Sequence, residues 1–415
     1  MTQLKSASPK NGLRRVLGLP LLVLYGLGVT VGAGIFALVG EILGIAGDLT
    51  PLAFAVASIL AGASAGSYAI LSSRFPRAAG EAVYASEGFG AAVGRIVGIG
   101  VAITATLSSA VIALAFASYL STIVSLPSWL LALALVATTA IVASLGVRTS
   151  VVVASIVTVL EVGTLATVIV AGGPELGDSE LWRRVTTMPS DWASLSVVFA
   201  AATVAFFAFI GFEDIVNMAE ETVRPARVLA PAIIITLVLT TLFYVVLATL
   251  AVAVGDRVAL DQSDAPVADL FADLTGGSPA PIAAIAAVAM INGVLIQFVM
   301  ASRVLFGMAR DGLIASPWLA SLHRTRHSPV NATLLIAAVV AGLTLLVPIV
   351  ELAEFTSFVT LLVFSAVNLS LFQIMRRRTE RLRRAMAAWG LLAAFLSIGL
   401  LIIRVVSLIT GGIAT

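Results

Sequence analysis

Two apolar stretches hold the residues best placed to do chemistry. The first reads Gly26-Leu-Gly-Val-Thr-Val-Gly-Ala-Gly34 and continues into Ile35 and Phe36, with four glycines in nine positions. The second reads Phe206-Phe-Ala-Phe-Ile-Gly211 and continues into Phe212, Glu213 and Asp214. An interrupted helix exposes backbone N–H groups where one half starts and carbonyl oxygens where the other ends. The starting end suits an anion and the finishing end a cation. An α-amino acid carries both charges on one carbon, so such a break suits a zwitterion. Gly32 and Gly34 alone would also fit close helix packing. Glu213 and Asp214 fit it poorly, because an acid near mid-membrane costs ~2.5–3.5 kcal/mol on insertion scales. They call for a cavity or an unwound backbone.

Further polar groups stand alone in apolar surroundings. Glu161 is the one ionisable residue of the stretch 150–172. It reads either as a proton or cation site or as an acid paired at a packing seam. Glu213 reads as a coupling or gating group or as a clamp on the unwound segment. Gln297 reads equally as a substrate contact or an interhelical hydrogen bond. Asp214 and Glu41 are open to solvation at the mouths of a cavity. His323 and His327, beside Arg324 and Arg326, read as surface residues.

The elements that position these residues follow from composition. Of 415 residues, 60% are hydrophobic and 11% charged, against about 25% charged in an ordinary soluble chain. A transmembrane helix needs about 20 mostly apolar residues, and such runs recur throughout. The chain reads as an all-α polytopic membrane protein of eleven spans, about 17–45, 49–74, 92–124, 128–146, 150–172, 195–221, 228–254, 280–309, 331–349, 352–375 and 386–412. The whole of 1–415 reads as one transmembrane domain. Lys5, Lys10, Arg14 and Arg15 precede a long run that further spans follow, so a cleaved signal peptide is not expected. With the N-terminus in the cytoplasm, 20 of the 24 Lys and Arg fall on the cytoplasmic side. These include Arg148 and six between Arg376 and Arg384. The connector holding Asp256, Asp261, Asp264, Asp269 and Asp273 falls outside, as does the C-terminus. The net charge of +2 is too balanced to suggest a nucleic-acid partner.

Spans one and six, which carry the two glycine-rich segments, are five apart. An odd spacing turns the second unit over, giving two inverted five-helix repeats with discontinuous helices at matching positions. That arrangement points to the central site of a secondary transporter.

At these residues the chain resembles the amino acid–polyamine–organocation superfamily, specifically a bacterial amino-acid permease. Val31-Gly-Ala-Gly-Ile-Phe36 is similar to that family's first-helix motif. Arg74-Phe-Pro-Arg-Ala-Ala-Gly80 with Tyr84 is similar to its loop after helix 2. Phe206 to Gly211, then Glu220, Glu221, Pro225, Arg227 and Pro231, resembles its helix-6 signature. Ala309-Arg-Asp-Gly312 with Pro317 and Pro329 resembles the end of helix 8. The resemblance implies a LeuT-type fold, with repeats at 17–172 and 195–376 and an additional helix at 386–412, working by alternating access in the cell membrane. It implies that Thr30, Val31, Gly32, Ala33, Gly34 and Ile35, with Phe207, Ala208, Ile210 and Gly211, surround the substrate's α-groups. The amides of Ala33 and Gly34 would meet the carboxylate. Carbonyls near Thr30, Val31, Phe207 and Ile210 would meet the ammonium. Thr104, Ala105, Ser109 and Gln297 would line the side-chain pocket. The resemblance implies proton symport or exchange; several relatives place a lysine in helix 5 where others bind sodium, and Glu161 takes that place here, which makes a proton or sodium the coupling ion of a symporter. The lining is mostly small and apolar, which favours neutral amino acids over cationic ones, polyamines or other amines.

Enzyme chemistry finds no support. The chain has no cysteine, no histidine within a span, and both lysines precede residue 11. There is no Gly-x-x-x-x-Gly-Lys-Ser/Thr phosphate loop for primary transport. No catalytic residue, resident metal or cofactor is expected.

Overall fold

The computed structural model describes residues 15, 17–32, 34–77, 80–144, 151–219, 221–254, 257–310, 314–323, 328–376 and 381–409. Of the residues singled out above, Lys5, Lys10, Arg14, Ala33, Arg148, Glu220, Asp256, Asp311, Gly312, Arg324, Arg326 and His327, and 377–380 of the arginine cluster, lie outside them.

The described residues are helical, and the pairing of Leu17 with Thr222 is an isolated bridge rather than a sheet. Helices satisfy their own backbone groups, as a lipid interior demands. In chain order they are α1 (Leu19–Thr30), α2 (Gly34–Ala46), α3 (Thr50–Arg74), α4 (Gly80–Phe89), α5 (Ala91–Ser121) and α6 (Ser128–Ser144). Then follow α7 (Val151–Ala171), α8 (Ser179–Val185), α9 (Trp192–Phe207), α10 (Pro225–Ala253) and α11 (Arg257–Asp261). The last are α12 (Pro266–Thr275), α13 (Ala280–Arg310), α14 (Val330–Leu346), α15 (Ile349–Arg376) and α16 (Arg381–Ile409).

Seven helical stretches among the described residues are long and apolar enough to cross a membrane. The first joins α2 and α3 as Gly34–Arg74, through a short turn in which Gly47 takes φ +55°. Four shorter apolar helices accompany them: Leu19–Thr30, Ser128–Ser144, Ser155–Ala171 and Val330–Leu346. Ile59, Ile141, Leu242, Leu346 and Phe395 are all more than half exposed. So much large apolar surface facing outward marks a lipid-contacting belt rather than a soluble surface.

The packing follows a regular rule. The pair α1–α2 and then α3, α5, α6 and α7 form one series; α9 with its extension, α10, α13, α14 and α15 form another. α3 packs on α10, α5 on α13 and α6 on α14. α1 packs on α7, as α9 does on α15. α5 packs on α14 and α15, as α13 does on α6 and α7. Exchanging each helix for its counterpart leaves these pairings unchanged. α16 lies outside the rule, against α15 and α3.

Both ends of the central helices are covered. On one side α11 and α12 lie over α2, where a side chain on Gly40 would collide with the Leu260 carbonyl. Tyr119 on α5 donates to Phe36 O at 2.7 Å and accepts from Val267 N at 3.2 Å. On the other side α4 folds back along α5 and α15. Above it Tyr68, Phe206, Phe212 and Phe364 pack edge-on or tilted at 5.3–5.9 Å. Such ring pairs contribute ~0.5–1.5 kcal/mol each beyond their burial.

Candidate substrate site

Both glycine-rich segments interrupt their helices. α1 ends at Thr30, Gly32 takes φ +24°, and α2 starts at Gly34. Gly34 and Ile35 are thus already helical. α9 ends at Phe207. Ala208, Phe209 and Ile210 donate to carbonyls three residues back, each at 3.0 Å, and so tighten the chain. Gly211 then takes φ +130°, which a side chain would strongly disfavour, and Phe212–Met218 continues as a 3-10 turn.

These interruptions touch. A Cβ on Gly34 would stand 2.5 Å from Ala208 Cα, and one on Gly211 would stand 2.9 Å from Thr30 Cα. Only glycine permits backbones to approach this closely. Tyr244 of α10 spans the junction, its Oη 3.0 Å from Thr30 O and 2.9 Å from Ala208 O. A hydroxyl has one proton to donate, so at any moment one of these carbonyls is left for another donor. Sequence reasoning missed Tyr244. Its signal was there: Thr236, Thr240 and Tyr244 recur every four residues on an apolar helix.

A polar seam lies behind α1. A side chain on Gly28 would collide with Thr158 of α7, and one on Gly26 would stand 2.7 Å from Thr236 Oγ1. Glu161, one turn beyond Thr158, is buried, and its Oε1 has no hydrogen-bond partner among the described residues. The same holds for Thr30, Thr236 and Thr240 Oγ1.

Beside the α9 interruption is a cavity of about 20 Å³. That holds about one water and is too small for an amino acid. Thr104, Ile210, Glu213, Asp214 and Gln297 line it together with Tyr68, Glu81, Thr360 and Phe364. Ala105, Ser109 and Phe207 are buried but do not border it. Ser109 instead bonds Ala105 O at 2.7 Å within its own helix.

Asp214 is 3% exposed, which corrects the solvated reading of that residue. It accepts from Gln297 Nε2 at 3.3 Å, the interhelical bond, while Gln297 Oε1 is left with no partner among the described residues. Glu213 accepts from Gly211 N at 2.7 Å and so holds the turn that Gly211 makes. Glu41 is half-buried and His323 exposed. Glu81 was missed because its helix is short and lies outside every apolar run. Among the described residues no cluster of His, Asp and Glu has a metal-holding geometry.

Residues 17–415 match a family described as amino acid permease. The chain belongs to that family. Relatives of this chain are named as transporters or permeases, not as enzymes. It is 30% identical to the vacuolar cationic amino acid transporter 4 of Arabidopsis thaliana, over 83% of this chain and 61% of the plant protein. It is 32% identical to an uncharacterized transporter of Mycobacterium tuberculosis, over 86% of this chain and 80% of that one. It is 27% identical to the branched-chain amino acid permease BcaP of Bacillus subtilis, over 93% and 86%. The permease spans about three fifths of the length of the plant relatives.

Proposed function

We propose that this permease is a secondary carrier that moves amino acids across the cell membrane by alternating access, its two inverted repeats rocking about a site between the interruptions. The contact of Gly34 with Ala208 and of Gly211 with Thr30 carries this reading. It places the start of α2 and the end of α1 beside the end of α9. A carboxylate then meets the amide end of α2, and an ammonium meets the carbonyls of Thr30, Val31 and Ile210. The exchange rule in the packing supports a LeuT-type arrangement of eleven spans, and the distribution of Lys and Arg supports an N-terminus in the cytoplasm and a C-terminus outside.

The cavity favours a cationic amino acid or amine. Glu213, Asp214 and Gln297 Oε1 offer acceptors, and no arginine or lysine pairs with the two acids in the ion pairs of the described residues. A donor-rich cation is their complement. This departs from the neutral preference read from the sequence, because the burial of Asp214 beside Glu213 and Gln297 comes from the fold. The apolar walls of Val101, Ile210, Val363 and Phe364 support neutral side chains as the second reading. Coupling to a proton, or to sodium, falls to Glu161 and Glu213.

A thermal-shift comparison of arginine, lysine and putrescine with leucine and valine tests the substrate class, since a ligand of the folded state raises its stability. Accumulation of the stabilising compound against its gradient in proteoliposomes tests the carrier itself. Downhill flux without accumulation would refute it.

A further inference from the structure

Glu81 stands in the first turn of α4, in the connector between the apolar stretches Gly34–Arg74 and Ala91–Ser121. It is 2% exposed although its helix is only ten residues long. Two glycines press α4 into place. A Cβ on Gly80 would stand 2.5 Å from Val216 Cγ2 of the 3-10 turn, and one on Gly88 would stand 2.9 Å from Ser370 Cα of α15. Gly90, at φ +96° and with open space around it, joins α4 to α5 as a hinge. α4 is thus a small plug seated beside the cavity and joined to α5 through a single glycine.

Among the described residues, the side chains facing Glu81 include no cation. From the 3-10 turn come Asp214 and Glu213; from α3 comes Tyr68, and from α4 itself Tyr84. On α5, Arg95 is exposed; on α15, Glu351 and Glu354 lie at the far end and Arg376 is exposed. Two cavity-lining polar atoms, Gln297 Oε1 and Tyr68 Oη, belong to residues more than nine-tenths buried and lack partners among the described residues. Burial pushes the Glu81 carboxyl up to about 8, its own backbone amide opposing and the Asp214 charge adding to the rise.

We propose that Glu81 is a proton-binding site that latches α4 over the cavity: protonated, it seats among Asp214, Glu213, Tyr68 and Tyr84; deprotonated, it becomes a buried charge with no cation beside it and α4 swings out on Gly90. The proton adds an O–H donor that Gln297 Oε1 or Tyr68 Oη can accept. The seated carboxyl holds its proton up to about pH 8, while a solvated one loses it near pH 4.3. The seated form is therefore fully favoured below the solvated value. It loses ground as pH rises between the two values, by at most about tenfold per pH unit for one proton, and levels off above the higher one.

The chain has no cysteine, so a single thiol at Val101, which lines the cavity, reports access. Alkylation of Val101→Cys, divided by that of Ala91→Cys on the exposed start of α5, is expected to rise at least tenfold from pH 6 to 8 and then flatten. Adding Glu81→Gln, an isostere of the protonated acid, should hold the ratio at its low value throughout. An unchanged rise with Glu81→Gln, or a rise abolished by Glu213→Gln instead, overturns the latch. Hydrogen exchange of the 80–89 amides in the unmodified protein, corrected for intrinsic rates, should speed up over the same range. Exchange independent of pH also overturns it. Both readouts are independent of transport, so a carrier with another substrate would leave them unchanged.

Discussion

Gly34 meets Ala208 so closely that a Cβ on the glycine would stand 2.5 Å from the alanine Cα. The two interrupted helices are therefore in backbone contact. Overpacking costs ~1–3 kcal/mol in an adaptable core, and backbone adapts less readily than a side-chain tip. Gly34→Ala should lower the melting temperature and abolish ligand-induced stabilisation. A normal ligand shift in that variant would mean that binding does not need this contact.

Gly211 makes a sharper case, because it combines φ +130° with the approach to Thr30. Gly211→Leu should bind no substrate. A variant that still eluted as a monodisperse peak and retained ligand-induced stabilisation would show that the site lies elsewhere.

Tyr244→Phe removes one hydroxyl and keeps the rings that pack on Phe54 and Phe209. The expected loss of stability is about 0.5–1.5 kcal/mol, that of one hydrogen bond. Transport should fall much further, since the hydroxyl bridges carbonyls on both interrupted helices. Wild-type uptake by this variant would reduce Tyr244 to a packing residue.

Glu213 can be divided into clamp and coupling group by two substitutions. Glu213→Gln keeps an acceptor for Gly211 N, whereas Glu213→Ala leaves that donor unpaired at a cost of ~1–3 kcal/mol. The alanine variant should melt earlier and the glutamine variant near the wild type. If the glutamine variant also loses the pH dependence of uptake, coupling resides here.

Glu161 is the competing coupling group, its Oε1 buried without a partner among the described residues. Uptake should rise with an inward proton gradient, and Glu161→Gln should lose that response while still binding substrate. A sodium requirement that vanishes with Glu161→Gln would make it a cation ligand instead.

Recognition of the α-groups by backbone predicts that methyl esters and N-acyl derivatives compete poorly. Equal binding of a free amino acid and its methyl ester would contradict it.

The sequence by itself determined what depends on composition and on local backbone chemistry. Long apolar runs require helices in lipid, and the glycines of the two segments permit the interruptions that Gly32 and Gly211 make at positive φ. The family was legible for the same reason, since its motifs are those interruptions and the charged loops between spans. Tertiary structure decided what depends on residues distant in the chain. Tyr244 stands 214 residues from Thr30, and no local pattern specifies that its hydroxyl meets that carbonyl. Ser109 and Gln297 look alike as polar residues in apolar helices, yet the fold turns one onto its own backbone and the other into the cavity. Glu81 reads as a surface acid on a short helix until α4 folds back against the 3-10 turn. Burial belongs to the surroundings of a side chain, and those surroundings come from packing between segments.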